Sequence, residues 1–371
     1  MKRQILAAVT SATMVAAILA GCGGASSSSA SAASSGSNSA SSGQTASESA
    51  TSASTSSSVQ SSSDSEAVAS TSGADVQADK QYTIGFAQCT LASPFYTQMK
   101  TVIEDYAKEK GVTVTVVSAD DDVTKQNSDI MDLISKGIDA LILNPINTEG
   151  VQTGIDACKD AGIPVITVDR MAASGATAAV VRDNKKMGQI VGEELLKELG
   201  GADKASGTIL ELQGTSGDQV MMDRRDGFEA AFADAPNVKI VQSAYCDYTR
   251  SKAVTAAQDM IQANSDIIAI YGHNDDMALG GLQAAQEAGL TDVKVCGVDG
   301  LMEAVKAIND GTYACTALND PGTEIKVALD TAIKVLNGES VEESVDAGTG
   351  LVNADNAADY VDDSLPFAEI K

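Results

Sequence analysis

Aromatic and histidine residues are scarce in this 371-residue chain. It contains no Trp, aromatic residues make up 4 % of it, and His273 is its single histidine. A core built from such a sequence must be aliphatic and rich in alanine. One histidine, without a His/Cys cluster at metal-ligand spacing, argues against a zinc site and against a histidine-dependent catalytic triad.

Positive charge is scarce as well. Lys and Arg number 25 against 51 Asp and Glu, which gives a formal net charge of -26. This acidity argues against nucleic acid and anionic lipid surfaces as partners, and otherwise it favours solubility.

The first 21 residues have the pattern of a signal peptide. Lys2-Arg3 supplies a positive start, and the apolar run from Ile5 to Leu19 is too short for a stable membrane span. Leu19-Ala20-Gly21-Cys22 resembles the bacterial lipobox, which predicts cleavage before Cys22 and a diacylglyceryl group on its sulfur. An ordinary signal peptide with an incidental cysteine is the alternative. Residues 22–79, rich in Ser and Ala, predict a disordered tether behind the lipidated cysteine.

The other cysteines match no disulfide framework. Their number is odd, and a free cysteine in an apolar stretch behaves as a small hydrophobic residue. We therefore expect no obligatory disulfide among Cys89, Cys158, Cys246, Cys296 and Cys315.

From Tyr82 onward, strand-like and helical patterns alternate. This predicts an α/β architecture with parallel sheets and right-handed crossovers. A seam near Arg182-Asp183 divides the pattern, so we predict two similar lobes that face each other across a cleft. The predicted strands are Tyr82–Ala87, Val112–Val117, Ala140–Leu143, Val165–Val168, Thr208–Leu212, Val238–Ser243, Ile267–Tyr271, Val293–Val298 and Tyr313–Leu318.

Polar and aromatic residues follow these strands at their carboxyl ends. In the stretch Ile163–Met171, the charged pair Asp169-Arg170 comes directly after a buried β-branched run. Ligands of open α/β sheets bind outside such strand ends, although a local ion pair or a solvated turn explains the two charges equally well. Comparable positions in both halves favour a binding site. They are Gln88–Tyr96, Gly214–Arg225, Tyr245–Tyr248, His273-Asn274, Asp299 and Asn319.

The residue types at these positions suit a neutral polyhydroxylated ligand. Carboxylates and amides can bridge adjacent hydroxyl groups, arginine offers a planar fork of donors, and aromatic faces can cover the C–H face of a sugar ring. Each residue also has a structural alternative. Phe95 and Tyr96 could pack their own helix, Asn274 could cap one, and the remaining candidates could form turns or helix starts. His273 is predicted to be a strand-end bystander.

The chain from about Tyr82 to Val352 resembles the ribose/galactose-type periplasmic sugar-binding proteins, the extracytoplasmic receptors of ABC importers. The matching stretches, in family order, are YTIGFAQCTLASPFY, DALILNPINTEG, AGIPVITVDR, ILELQGTSG…RRDGFEAAF, IIAIYGHNDDMALGGLQAAQEAG, VCGVDG and DGTYACTALNDP. The resemblance implies two Rossmann-like lobes, joined by a hinge of three crossovers, with sugar held at their interface. The implied first lobe is residues 80–182 plus 320–347, and the second is 183–319 plus 348–371.

The resemblance also implies roles for individual residues. Phe95, Tyr96 and Tyr248 match ring-facing aromatics, Asp169 and Arg170 match the polar pair of the first lobe, and Asn274, Asp299 and Asn319 match ligands of the second lobe and the hinge. The chain departs from ribose receptors at Cys89 and Ser93, where they carry Ser and Asn. It departs again at Met222, where they carry a ligand-binding Arg; Arg224 lies two positions further on. These departures put ribose itself in doubt.

The predicted function is that of a monomeric, lipid-anchored receptor that delivers a monosaccharide to an ABC permease and its ATPase, without a cofactor or a metal. A sugar, polyol or autoinducer sensor feeding a chemoreceptor or a sensor kinase is the alternative. An enzyme is disfavoured because no GxGxxG follows the first strand and no P-loop is present. A transcriptional effector domain is disfavoured because a signal segment replaces any DNA-binding helices. Pentose, hexose, deoxy sugar, inositol-like polyol and furanosyl ligands all stay open.

Overall fold

The structure is a computed structural model and describes residues 76–371. The predicted signal peptide (1–21), the lipidation site at Cys22 and the tether as far as residue 75 lie outside the described residues. In residues 76–371, no helix is long and apolar enough to cross a membrane. The strands are β1 (Thr83–Gln88), β2 (Thr113–Ser118), β3 (Ala140–Leu143), β4 (Val165–Val168), β5 (Ala178–Val181), β6 (Gly207–Leu212), β7 (Val238–Gln242), β8 (Ile267–Gly272), β9 (Lys294–Asp299), β10 (Cys315–Leu318), β11 (Ser344–Asp346) and β12 (Leu351–Asn353). The helices are α1 (Pro94–Lys110), α2 (Val123–Ser135), α3 (Gln152–Asp160), α4 (Asn184–Glu198), α5 (Gln219–Ala231), α6 (Arg250–Ala263), α7 (Asp275–Glu287), α8 (Met302–Asn309), α9 (Pro321–Leu336) and α10 (Ala357–Tyr360).

The first lobe is built on a six-stranded sheet of order β2-β1-β3-β4-β5-β11, in which all neighbours are parallel. Every residue of β3 and β4 is buried, as expected for apolar strands covered by helices on both faces. The strand order reverses between β1 and β3. Such a switch point opens a crevice outside the carboxyl ends of the strands.

The second lobe repeats this arrangement with the order β7-β6-β8-β9-β10-β12. Here β6 takes the place of β1, and its neighbours β7 and β8 are both parallel to it. The edge strand β12 differs because it runs antiparallel to β10. The second lobe therefore has its own switch point, between β6 and β8.

Two glycines let α4 and α5 touch in the second lobe. A Cβ at Gly188 would lie 2.1 Å from the carbonyl oxygen of Arg224, and one at Gly227 would lie 2.0 Å from that of Lys185. No side chain fits at such distances, so glycine is required at both positions. The close approach brings Arg224 on α5 within reach of Asn184, the first residue of α4.

The chain crosses between the lobes three times: at Arg182-Asp183, at Asn319-Asp320 and over residues 347–350. After the second crossing, α9 packs against α1 and β4 of the first lobe. Arg182 joins the three segments, because its guanidinium donates to the carbonyl oxygens of Asp320, at 2.8 Å, and of Ala347, at 2.9 Å. The predicted α/β fold, with two lobes and a three-crossover hinge, is confirmed.

Some elements differ from the sequence-based prediction. The strands β5, β11 and β12 were not predicted; each has only three or four residues, and β11 is mostly exposed. Residues 76–79, which we assigned to the tether, contact the first lobe: Val76 is buried, and the side chain of Asn337 bonds to the backbone of Gln77 and of Asp79. The folded region therefore begins before the predicted boundary at residue 80.

Candidate functional site

A cavity lies between the two lobes, outside the carboxyl ends of their strands. The empty space inside it, part of which is open to solvent, is about 240 Å³. The lining residues are Ser93, Phe95, Tyr96, Asp169, Val220, Arg224, Tyr248, Asn274, Asp299 and Asn319.

Nine of the twelve residues that we singled out for ligand binding are among these lining residues. They reach the cavity from the loops after β1, β4, β7, β8 and β10, from the end of β9 and from α1 and α5. The three others, Cys89, Arg170 and Met222, lie beside the cavity and do not line it. Val220 is the one lining residue that we did not single out.

The wall supplied by the first lobe centres on Asp169. Its Oδ2 accepts a hydrogen bond from Asn144 Nδ2 at 3.2 Å, and burial raises the pKa of its carboxyl group while Arg170 and Arg224 oppose that shift. Nearby, the hydroxyl of Ser93 is buried without a hydrogen-bond partner in the protein. This wall therefore offers a carboxylate and an unsatisfied hydroxyl to a ligand.

Arg170 is held behind this wall by several acceptors. Its Nη2 donates to the hydroxyl of Tyr96 at 2.7 Å, and its Nη1 donates to the carbonyl oxygen of Pro145 at 3.3 Å. Its Nε lies 3.3 Å from Oδ1 of Asp218, a residue of the second lobe that our sequence analysis did not single out. A solvated turn at Asp169-Arg170 is excluded, because each residue is only 7 % exposed.

The wall supplied by the second lobe centres on Arg224. Its Nε donates to Asn184 Oδ1 at 2.8 Å, and its Nη1 donates to the carbonyl oxygen of His273 at 2.6 Å. The same nitrogen lies 3.4 Å from Oδ1 of Asp299. These partners fix the guanidinium before any ligand contributes to its position.

Asp299 is the carboxylate that the second lobe contributes to the cavity. Burial raises its pKa to about 7, whereas Arg224 and a hydrogen bond of 3.1 Å from Asn319 Nδ2 favour its ionised form. Its backbone φ is +125°, and the φ of Asp169 and Tyr248 is also positive, at +65° and +54°. Such conformations are costly for residues other than glycine, and they cluster where function constrains the backbone.

Asn274 and the aromatic residues combine structural and site roles. Asn274 caps α7, because its Oδ1 accepts a hydrogen bond from the N–H of Met277 at 2.9 Å, and it also lines the cavity. Phe95 and Tyr96 meet edge to face, with ring centroids 5.5 Å apart. A structural role and a place in the cavity lining therefore coincide at these positions.

Cys89 and Met222 lie outside the lining for different reasons. Cys89 is fully buried against Gln88, to whose Oε1 its Sγ donates at 3.4 Å, and burial raises the pKa of the thiol to about 12. Met222 precedes Arg224 by two residues on α5, a turn of about 200° around the helix axis, and it packs against the hydrophobic core. Arg224, and not Met222, therefore faces the cavity.

His273 also stays behind the wall, as predicted for a bystander. The backbone N–H of Gly214 donates to its Nδ1 at 3.3 Å, which assigns the proton to Nε2, and Nε2 donates to Glu211 Oε1 at 2.9 Å. The roles of Glu211 and Asp218 were not anticipated, because neither belongs to a local motif that reveals a distant partner.

The chemistry of the cavity follows from this inventory. Both guanidinium groups are paired with carboxylates, Arg170 with Asp218 and Arg224 with Asp299. Oxygen acceptors, amides and aromatic faces are left for the ligand, and these groups suit hydroxyl donors. In residues 76–371, no group of three or more His, Cys, Asp or Glu residues is placed to hold a metal ion.

Comparison with known proteins places this geometry in a family. Residues 84–340 match the family described as the periplasmic binding protein domain. The chain is 35 % identical over 269 residues to the ribose import binding protein of Bacillus subtilis (strain 168), with 72 % of this chain and 86 % of that protein covered.

Solved structures of similar proteins support the same family. The structure of an ABC transporter solute-binding protein from Mycobacterium smegmatis, with bound glycerol, has 50 % identity and a TM-score of 0.76, and covers 78 % of this chain and 100 % of that one. The fructose-binding periplasmic domain of a hybrid two-component system has 29 % identity and a TM-score of 0.69, with 76 % and 93 % covered. The chain therefore shares its fold with these proteins and belongs to the ribose/galactose-type periplasmic binding proteins of type I fold.

Proposed function

We propose that this protein is an extracytoplasmic receptor that binds one neutral monosaccharide between its lobes and delivers it to an ABC importer. The observation that carries this proposal is the pairing of Arg224, which lines the cavity, and of Arg170, which lies beside it, with carboxylates. No unpaired guanidinium remains at these two positions for a ligand carboxylate or phosphate, whereas Ser93, Asp169, Asn274 and Asn319 present groups that bind hydroxyls.

The mechanism is a population shift. A ligand that contacts both walls does so only when the lobes are closed, so it stabilises the closed form. The permease, with its ATPase, then recognises that form. The protein acts as a monomer and leaves its ligand chemically unchanged, as a receptor and not as an enzyme.

Calorimetric titration tests the ligand class. We would titrate the full-length chain with D-ribose, D-galactose, D-xylose, L-arabinose, glycerol, xylitol and myo-inositol, and support the result by thermal unfolding. A ligand at 100 times its dissociation constant should add roughly 2.7 kcal/mol of stability. One tight binder, recovered unchanged, is the expected result. Failure of all these compounds with folded protein would remove the sugar from the proposal, and turnover of a bound sugar would indicate an enzyme.

We also propose that Cys22 carries the lipid that holds the receptor at the outer face of the cell membrane. The lipobox-like sequence Leu19–Cys22 supports this. Cys22→Ala should abolish incorporation of labelled palmitate and release the protein from the membrane fraction. Retention of both label and membrane association in the variant would contradict the assignment.

Delivery to a sensor is the second candidate. The similarity to a fructose-binding domain of a hybrid two-component system favours it, because that domain has the same fold. Transport and sensing share the ligand site, so loss of ligand uptake in a strain that lacks this protein decides between them. Normal uptake with loss of a sugar-dependent transcriptional response would favour the sensor.

A further inference from the structure

Asp218 and Arg170 make a direct contact between the two lobes. Asp218 stands at the start of α5 in the second lobe, whereas Arg170 follows β4 in the first. Arg170 Nε lies 3.3 Å from Asp218 Oδ1, and Nη2 donates to Oδ2 at 3.4 Å. Both residues are buried, so solvent does not screen this ion pair as it would on the surface.

Each partner is positioned by its own lobe. Asp218 accepts a hydrogen bond from the hydroxyl of Tyr248 at 2.7 Å, and Arg170 donates to the hydroxyl of Tyr96 at 2.7 Å. The guanidinium carbon lies 5.6 Å from the ring centre of Tyr96 and 5.8 Å from that of Tyr248. Aromatic rings of both lobes therefore flank the cation at distances where cation–π attraction acts.

A second contact joins the lobes nearby. Phe95 at the start of α1 meets Phe367 edge to face, with ring centroids 6.2 Å apart. Phe367 belongs to the second lobe, where it bridges to Leu301 beside β9. One polar and one apolar contact between protein side chains therefore join the lobes beside the cavity.

We propose that Asp218 is a positioning residue that captures Arg170 as the lobes close. The latch (Asp218, Tyr248 and Arg170) stabilises the closed form independently of the ligand, so the ligand has to supply only the remaining closing free energy. The apparent dissociation constant of any ligand is its intrinsic value divided by the closed fraction. Loss of the latch must therefore weaken all ligands by one common factor.

The test uses the full-length chain carrying Cys22→Ala, with spin labels on Met131→Cys in the first lobe and Lys239→Cys in the second. Both positions are exposed, whereas the five native cysteines from Cys89 to Cys315 are buried. The distance between the two spin labels is measured without added ligand in this doubly labelled chain and in its Asp218→Asn variant. Asparagine can still cap α5 and accept from Tyr248, but it cannot pair with the guanidinium as an anion. Asp226→Asn, an exposed position on the same helix, is the matched control.

We expect Asp218→Asn to shift the distance distribution toward open lobes and to weaken every sugar or polyol that binds by the same factor, about tenfold. The control should change neither quantity. The affinity measurement rests on the proposed sugar-binding function, whereas the distance measurement needs no ligand. A distance shift with no binder in the panel would uphold the latch and refute the proposed ligand class.

Three outcomes would overturn the latch. One is an unchanged distance distribution in Asp218→Asn, and another is a wild-type distribution that is already fully open. The third is an affinity loss that differs between ligands, because Asp218 would then contact the ligand itself.

Discussion

The two arginines of the cleft are held in different ways. Arg224, in the second lobe, is fixed by Asn184, His273 and Asp299, all of which follow the first crossover. Arg170, in the first lobe, receives its closest carboxylate from Asp218 across the cleft. One wall is therefore complete in itself, and the other is completed only by its counterpart.

Because of this difference, one ion pair contributes to the stability of the fold and the other to closing of the lobes. Both partners of the Arg224–Asp299 pair belong to the second lobe, so opening leaves them in contact and their energy belongs mainly to folding. The ion pair between Asp218 and Arg170 can break when the lobes open, which returns Asp218 to water without unfolding either lobe. Removing either arginine should therefore have distinguishable consequences.

The largest expected effect is on folding. At pH 8, above the raised pKa of Asp299, Arg224→Met should lower the free energy of unfolding by about 3–5 kcal/mol, because the buried carboxylate then loses its compensating charge. Arg170→Met should cost clearly less, since opening of the cleft relieves Asp218. Urea unfolding followed by circular dichroism measures both. An equal loss of unfolding free energy in the two variants would contradict the proposed difference between the two ion pairs.

Ligand affinity gives the next effect. Asp299→Ala and Asp169→Ala should each weaken binding of the ligand found in the titration panel by about 2–4 kcal/mol, since each leaves buried hydroxyl donors unpaired. Each variant also leaves protein donors without an acceptor, Asn144 in Asp169→Ala and Asn319 in Asp299→Ala, which lowers stability in addition to affinity. Calorimetry measures the affinities, and circular dichroism confirms the fold. Unchanged affinity in both variants would place the ligand elsewhere.

The pH dependence of stability tests the ion pair within the second lobe separately, because Asp299 titrates in the neutral range. Because burial raises the pKa of Asp299 to about 7, the folded protein retains a proton that the unfolded chain releases between about pH 4 and pH 7. The free energy of unfolding should therefore fall as pH rises, by roughly 2 kcal/mol between pH 5 and pH 7.5 for this group. Asp275, with a pKa of about 6, and Glu324, with a pKa of about 8, act in the same direction.

Asp299→Asn isolates the contribution of this carboxyl group, because the amide keeps the shape and does not titrate. Urea unfolding at both pH values should show a smaller difference between them for the variant than for the wild type. An unaltered pH dependence would mean that Asp299 is ionised throughout this range.

Much of this arrangement could be predicted from the sequence, because strand–helix alternation and the position of each strand end are local properties. The carboxyl ends of β4, β8 and β9 fall where the alternation places them, and Asp169, Asn274 and Asp299 line one cavity. The pairing of Asp218 with Arg170 could not be predicted. It joins residues 48 positions apart, on different lobes, and it depends on the angle at which those lobes meet.

Position within a helix is the finest detail that the sequence left open, and Met222 tests it. Alignment with ribose receptors puts Met222 where they carry an arginine, but the structure turns it toward the core and leaves Val220 and Arg224 facing the cavity. Met222→Ala should therefore change ligand affinity by less than about 0.5 kcal/mol, even though it lowers thermal stability. Val220→Ala is the matched variant and should cost about 1 kcal/mol of affinity through lost apolar contact. A larger loss of ligand affinity in Met222→Ala than in Val220→Ala would mean that the ligand contacts the other face of α5. The wall of the second lobe would then be less complete on its own than the contacts of Arg224 indicate.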